Sequence, residues 1–190
     1  MSSIKESEAN YVNPRGIPQA PFVEKVEDYV QSRDQVESIL KSFQDMLQKY
    51  KFMEMSTLRR EAGLKEKIPD IQKTLDMVKF LDASCNTDGE LESITTSYEL
   101  NDTLYAKAKI TPRDTVYLWL GANVMLEYTN EEAIDLLSSK LKSAKDSLES
   151  CKEDLEFLRE NITTVEVNTA RVYNWDVQKR KEDREAAELK

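Results

Sequence analysis

Residues 97–128 read SYELNDTLYAKAKITPRDTVYLWLGANVMLEY, and their apolar side chains fall on even numbers. Tyr98, Leu100, Leu104, Ala106, Ala108 and Ile110 come first, then Val116, Leu118 and Leu120, then Val124, Leu126 and Tyr128. A period of two is one face of a sheet. The runs break at Asn101-Asp102, at Thr111-Pro112-Arg113-Asp114 and at Gly121-Ala122-Asn123, where Asn, Asp and Gly tolerate positive φ and Pro fixes it. The spacing predicts two consecutive β-hairpins. Their odd face is not cleanly polar, since Tyr105, Tyr117, Trp119 and Met125 sit on it among Glu99, Lys107 and Lys109. A small sheet that is apolar on both sides lacks cover within these residues, and its outer strands leave backbone edges unpaired. The block is therefore expected to be an assembly surface, with Leu104, Tyr105, Tyr117, Leu118, Trp119, Leu120, Val124 and Leu126 as contact residues.

On either side the sequence is written in helical periods. Upstream, a 3-4 spacing runs Phe22, Val26, Tyr29, Arg33, Val36, Leu40, Phe43, Leu47 and Tyr50. One of these positions is charged, and Ser32-x-x-Gln35 beside it is a capping-box pattern, so a joint is expected near residue 32. Beyond Tyr50 the strict positions turn polar (Glu54, Thr57, Glu61) while Met55, Leu58 and Ala62 follow each by one, which reads as a one-residue slip of the seam. The register returns at Leu64, Ile68, Ile71, Leu75 and Val78, and Gly63 and Pro69 predict a kink between them. Downstream, Thr129-x-x-Glu132 is a capping box that opens a seam of Ile134, Leu137, Leu141, Ala144, Leu148, Cys151, Leu155, Leu158, Ile162, Val165, Thr169 and Val172. Each arm would be roughly 90 Å long if fully helical.

The expected organisation is an extended segment 1–21, a first helical arm 22–82, an acidic linker 83–96, the β block 97–128, a second arm 129–181 and a charged tail 182–190. Two arms of equal length joined by a compact block should fold back on each other. The fold class is mainly α with a small β block: a long antiparallel coiled-coil hairpin with two β-hairpins at its closed end.

Composition limits what such a chain can do. Histidine is absent from all 190 residues, which removes Ser-His-Asp and Cys-His catalysis and the H-E-x-x-H zinc site. The 4 glycines are too scattered for a phosphate loop, and no catalytic residue, metal site or cofactor is expected. The many carboxylates of the second arm read as a solvated face. With a net charge of −9 and lysines interspersed among acids, no nucleic-acid footprint is present. No run approaches the ~20 apolar residues of a membrane span, and Met1–Asn10 lacks a signal-peptide core, so a soluble, cytoplasmic protein is expected. Cys85 and Cys151 form no C-x-x-C, and Cys151, on the seam, is expected reduced and packed.

Five strings in this sequence resemble the α-class subunits of prefoldin. They are Arg15-Gly16-Ile17-Pro18-Gln19-Ala20-Pro21-Phe22, Lys49-Tyr50-Lys51-Phe52-Met53, Leu100-Asn101-Asp102-Thr103-Leu104-Tyr105, the run Leu118-Trp119-Leu120-Gly121-Ala122-Asn123-Val124-Met125-Leu126-Glu127-Tyr128, and Tyr173-Asn174-Trp175-Asp176-Val177. The resemblance covers Arg15 to about Lys179; a single glycine in the second hairpin and the acidic linker after Cys85 depart from it. It implies a heterohexamer with one further α-class and four β-class subunits. It also implies a cochaperone that holds unfolded actin and tubulin at its coil tips and passes them to the cytosolic chaperonin without ATP. On that reading the client-binding tip comprises Phe22, Val23, Val26, Tyr29, Val30, Val172, Tyr173 and Trp175, apolar residues expected to lie beyond the seam where the two arms end. Without the resemblance the residues point to an interaction protein. A structural coiled-coil tether or scaffold would explain the arms but leave the two-faced β block unexplained.

Overall fold

A computed structural model describes residues 12–30, 32–85 and 93–188, so the middle of the expected linker, 86–92, and the expected extended segment before residue 12 lie outside it. The protein is mainly helical with two small antiparallel β-hairpins. A single helical turn, α1 (Val26–Tyr29), and a 3-10 turn, Arg33–Gln35, precede the long helix α2 (Val36–Cys85). Strands β1 (Ile94–Asn101) and β2 (Leu104–Ile110) form the first hairpin, and β3 (Thr115–Gly121) and β4 (Val124–Thr129) the second. Helix α3 (Asn130–Glu188) follows directly.

The boundaries differ from expectation in ways the chemistry explains. The first arm is not helical from Phe22: Lys25 is still extended, and the continuous helix starts only at Val36. Ser32-x-x-Gln35 closes no side-chain cap at Ser32; instead the Gln35 N–H donates to the Ser32 carbonyl (3.1 Å) in the 3-10 turn. The α3 helix runs past residue 181 to Glu188, so most of the expected tail is helical. α2 continues through Gly63 and Pro69 without a break. The capping box at Thr129 is reciprocal, with the Thr129 N–H donating to Glu132 Oε2 (3.1 Å) and the Glu132 N–H to Thr129 Oγ1 (3.3 Å).

The residues form two compact units, one of residues up to Ala62 with Glu149 onward, the other Gly63–Leu148. In the first unit α2 and α3 run antiparallel, since Arg33 meets Asp176, Lys51 meets Glu166 and Glu54 meets Arg159. Its core joins Val36, Phe43 and Tyr50 of α2 to Leu158, Val165 and Val172 of α3. Each such buried side chain contributes about 1.5–3 kcal/mol. Cys151 is buried and unbridged.

No one-residue slip occurs after Tyr50. Glu54, Thr57 and Glu61 keep the strict positions half-buried, while Met55 (55% exposed) and Leu58 face solvent. At these positions Glu54 pairs with Arg159 at 3.8 Å, and the Thr57 hydroxyl donates to the Met53 carbonyl (2.9 Å).

In the second unit Leu75 and Val78 of α2 pack against Ala133, Leu137 and Leu141 of α3, and Val116, Leu118 and Tyr128 of the second hairpin close over them. Those three side chains seat one end of the hairpin's even face on the helices, while Leu120, Val124 and Leu126 of the same face stay exposed.

Candidate functional site

The β block is built from two separate two-stranded ladders. In the first, Ile94 pairs with Ile110 and Tyr98 with Ala106, with an irregularity between Glu99 and Asn101 that leads into the Asp102-Thr103 turn. In the second, Val116 pairs with Tyr128, Leu118 with Leu126 and Trp119 with Met125. Its turn places Ala122 (φ 48°) and Asn123 (φ 60°) both at positive φ, the signature of the type I′ turn whose twist matches a hairpin. Asn tolerates that region; Ala pays for it with about 1–2 kcal/mol.

Of the eight residues expected at an assembly face, Leu104, Tyr105, Tyr117, Trp119, Leu120, Val124 and Leu126 are exposed. Leu118 is half-buried and packs on the chain's own helices. Alternation separates Tyr117 and Trp119 from Leu118, while Leu120, Val124 and Leu126 are exposed on the same even face as Leu118. At β3 the even side chains Val116 and Leu118 turn toward the helices, which leaves Tyr117 and the Trp119 indole (60% exposed) on the outside with Met125 opposite. The result is an uncovered aromatic surface.

At the start of α1 and the end of α3 the eight expected tip residues divide differently. Val23, Val30 and Val172 are buried in the core of the first unit, with Val26 and Trp175 packed against it. Only Phe22, Tyr29 and Tyr173 are exposed. The residues do come together, but the three valines are withdrawn from the surface, because they complete the core rather than extend beyond it. The charged seam position is also accounted for: Arg33 reaches Asp183 (3.2 Å) and the buried carboxylate of Asp176 (3.4 Å), which Arg180 also contacts (2.6 Å).

What the sequence reading missed is how residues 12–25 are held. Residues 12–18 form a tight loop, with a bridge between Val12 and Pro18, Gly16 at φ 88°, and the Asn13 N–H donating to the Ile17 carbonyl (2.9 Å). The segment then lies along α3. The Ala20 N–H donates to Asn161 Oδ1 (2.5 Å) and the Val23 N–H to Asn168 Oδ1 (3.0 Å). Asn168 Nδ2 donates back to the Pro21 carbonyl (2.6 Å), the Tyr50 hydroxyl to the Pro18 carbonyl (2.9 Å) and Arg171 to the Val23 carbonyl (2.7 Å). Outside, Arg15 bridges Asp154 (2.5 Å) and Glu153 (2.9 Å), and the Arg171 guanidinium lies 4.8 Å from the Phe22 ring centroid. Burial raises the Tyr50 phenol above its ordinary pKa. A signal was available in Asn161 and Asn168, two amides set seven positions apart beside an apolar seam.

Comparison with known proteins agrees with this architecture. The family profile described as prefoldin subunit matches residues 50–175. Prefoldin subunit 3 of Elsinoe fawcettii is 64% identical over 173 residues, covering 91% of this chain and 86% of that protein. Prefoldin subunit 3 of Saccharomyces cerevisiae is 50% identical, covering 93% of this chain and 92% of the other, and the human prefoldin subunit 3 is 45% identical, covering 88% and 85%. Among solved structures, filamentous PFD from Methanocaldococcus jannaschii is similar in fold, with a TM-score of 0.50 at 16% identity, over 66% of this chain and 98% of that one. Among the described residues no helix is long and apolar enough to cross a membrane. Two long helices, two β-hairpins with an uncovered aromatic face, and relatives that match nearly end to end lead to one conclusion: this chain belongs to the prefoldin family of chaperone subunits, which assemble with other prefoldin subunits.

Proposed function

We propose that this chain is an α-class subunit of a cytoplasmic heterohexamer, completed by one further α-class and four β-class subunits. The complex holds unfolded actin and tubulin at its coil tips and delivers them to the cytosolic chaperonin without ATP. The observation that carries the reading is the aromatic face of the β block. Tyr105, Tyr117 and Trp119 are each 60–62% exposed, on ladders that pair only two strands each among the described residues. A two-stranded ladder is marginal alone, and such edges and rings gain most from strands of other subunits. The isolated chain should therefore self-associate, and β-class partners should convert it to a defined complex.

The test is Trp119→Lys in the chain co-expressed with its partner subunits. A lysine on the shared aromatic face would be desolvated on assembly, so the complex should be lost while the helical content of the chain is retained. Sedimentation showing an unchanged complex would remove the β block from assembly. Client holding is tested separately, by whether the assembled complex suppresses aggregation of denatured actin. At the tip, exposed Phe22, Tyr29 and Tyr173 make the client contact, with Val26 and Trp175 half-buried behind them and Val23, Val30 and Val172 as the packing beneath. Replacing Phe22, Tyr29 and Tyr173 by Ser should leave assembly intact and weaken protection.

A further inference from the structure

Among the described residues, every hydrogen bond that holds residues 18–23 is made to their backbone, and the Phe22 ring lies beside the Arg171 guanidinium. Tyr50 takes the Pro18 carbonyl, Asn161 the Ala20 N–H, Asn168 both the Pro21 carbonyl and the Val23 N–H, and Arg171 the Val23 carbonyl. In the extended stretch between the loop and α1, Ala20 and Val23 are buried and Gln19, Pro21, Phe22 and Glu24 are exposed, a spacing of three. A period of three is that of polyproline II, a conformation that unfolded chains populate heavily. The spacings also agree. Three residues of polyproline II advance about 9 Å and seven of α-helix about 10 Å, so successive inward residues of the segment meet successive seam amides of α3.

We propose that the groove between α2 and α3, floored by Phe43, Tyr50, Leu158 and Val165, is a binding site for an extended polypeptide in the polyproline II conformation. Asn161 and Asn168 read that polypeptide through its backbone, and the chain's own residues 12–25 occupy the site as a displaceable competitor. This rests on the client-holding reading only for the natural occupant, a segment of unfolded chain. The covering segment is latched rather than locked. At one end Arg15, partly exposed, pairs with exposed Glu153 and with Asp154, which Asn13 also meets, beside the Gly16 loop; at the other, Val30 is extended after the single turn of α1 and buried in the core. Small aliphatic pockets with backbone-directed amides select conformation and tolerate sequence, as a holder of unfolded chains requires. Being tethered, the segment competes at an effective concentration in the millimolar range, so the intact chain would admit other segments only weakly.

The probe is a fluorescein-labelled synthetic peptide of residues 12–25, its binding followed by anisotropy. A chain lacking residues 1–25, checked for helicity by circular dichroism, should bind it at least tenfold more tightly than the intact chain. Full-length Arg15→Ala, with its latch weakened, should fall between them. N-methylation of the peptide at the Ala20 and Val23 amides should weaken binding at least tenfold, whereas Ser at the outward positions Gln19 and Glu24 should change it less than threefold. Reduced, carboxymethylated α-lactalbumin should displace the peptide. Equal binding of the N-methylated peptide, absence of binding to both the truncated and the Arg15→Ala chains, or failure of the unfolded protein to compete would each overturn the proposal. None of these readouts depends on assembly or on actin, so a failed holding assay beside a positive peptide assay refutes the proposed function and leaves the groove standing.

Discussion

Replacing Asn168 by Ala tests how the N-terminal segment is held. The side chain is fully buried (0% exposed) and satisfies two main-chain groups at once, the Val23 N–H at 3.0 Å and the Pro21 carbonyl at 2.6 Å. Deleting it strands one donor and one acceptor, and each buried unsatisfied group costs about 1–3 kcal/mol. If the segment stayed in place the loss would be about 2–6 kcal/mol. It need not stay, because release hydrates both groups at the cost of exposing Val23 and Ala20, whose burial is worth only a few kcal/mol. The smaller penalty governs, so the segment should open more often by about 1–3 kcal/mol. Since 1.4 kcal/mol is a factor of ten, the Val23 and Ala20 amides should exchange with solvent roughly ten- to hundredfold faster. Hydrogen exchange read by mass spectrometry or NMR measures this directly, with amides of α3 around Leu155 as an internal reference that should not move. Thr169→Ala is the matched control: the neighbouring hydroxyl donates to the Val165 carbonyl of its own helix (2.7 Å), so exchange at Val23 should stay within about threefold of wild type. Unchanged exchange in Asn168→Ala would show that the amide does not hold the segment, and the reasoning from backbone satisfaction would fail.

Leu158→Ala, in the fully buried core of the first unit, should destabilise the chain by about 2–5 kcal/mol in urea unfolding. Met55→Ala should cost no more than about 0.5 kcal/mol, and the reverse order would restore the slipped register. Ala122→Gly should stabilise the second hairpin by about 0.5–1 kcal/mol, the relief of positive-φ strain less the backbone entropy of glycine; a loss of stability would contradict the turn geometry. Tyr50 is buried with its phenol pKa raised, so its contribution is fully present below the unfolded value near 10 and is lost as pH rises through the folded value. A phenolate also cannot donate to the Pro18 carbonyl, so alkaline titration should release the N-terminal segment, and Tyr50→Phe should abolish that pH dependence.

Much of this protein is legible in its sequence because the relevant forces are local and periodic. The even-numbered apolar run from Tyr98 to Tyr128, with turn residues at Asp102 and Gly121-Ala122-Asn123, determines two hairpins by itself. Thr129 and Glu132 determine where α3 begins, because both halves of the capping box lie within one turn. The seam from Leu137 to Val172 sets the buried face of that helix, since spacing on a helix needs no knowledge of the partner. Burial of the same residues agrees with it.

Tertiary structure decided what spacing could not. Met55 and Leu58 look like a shifted seam in sequence, yet in the structure they are exposed while Glu54, which pairs with Arg159 more than a hundred residues away, is half-buried. The expected tip valines are spent on the core: Val23 arrives on an extended segment that the Pro18 and Pro21 pattern identifies but cannot place, Val30 follows α1 and Val172 lies on α3. Only the fold brings that segment beside Asn161 and Asn168. An extended chain without internal hydrogen bonds takes its position from whatever satisfies its backbone, and here those partners lie roughly 140 residues along the sequence.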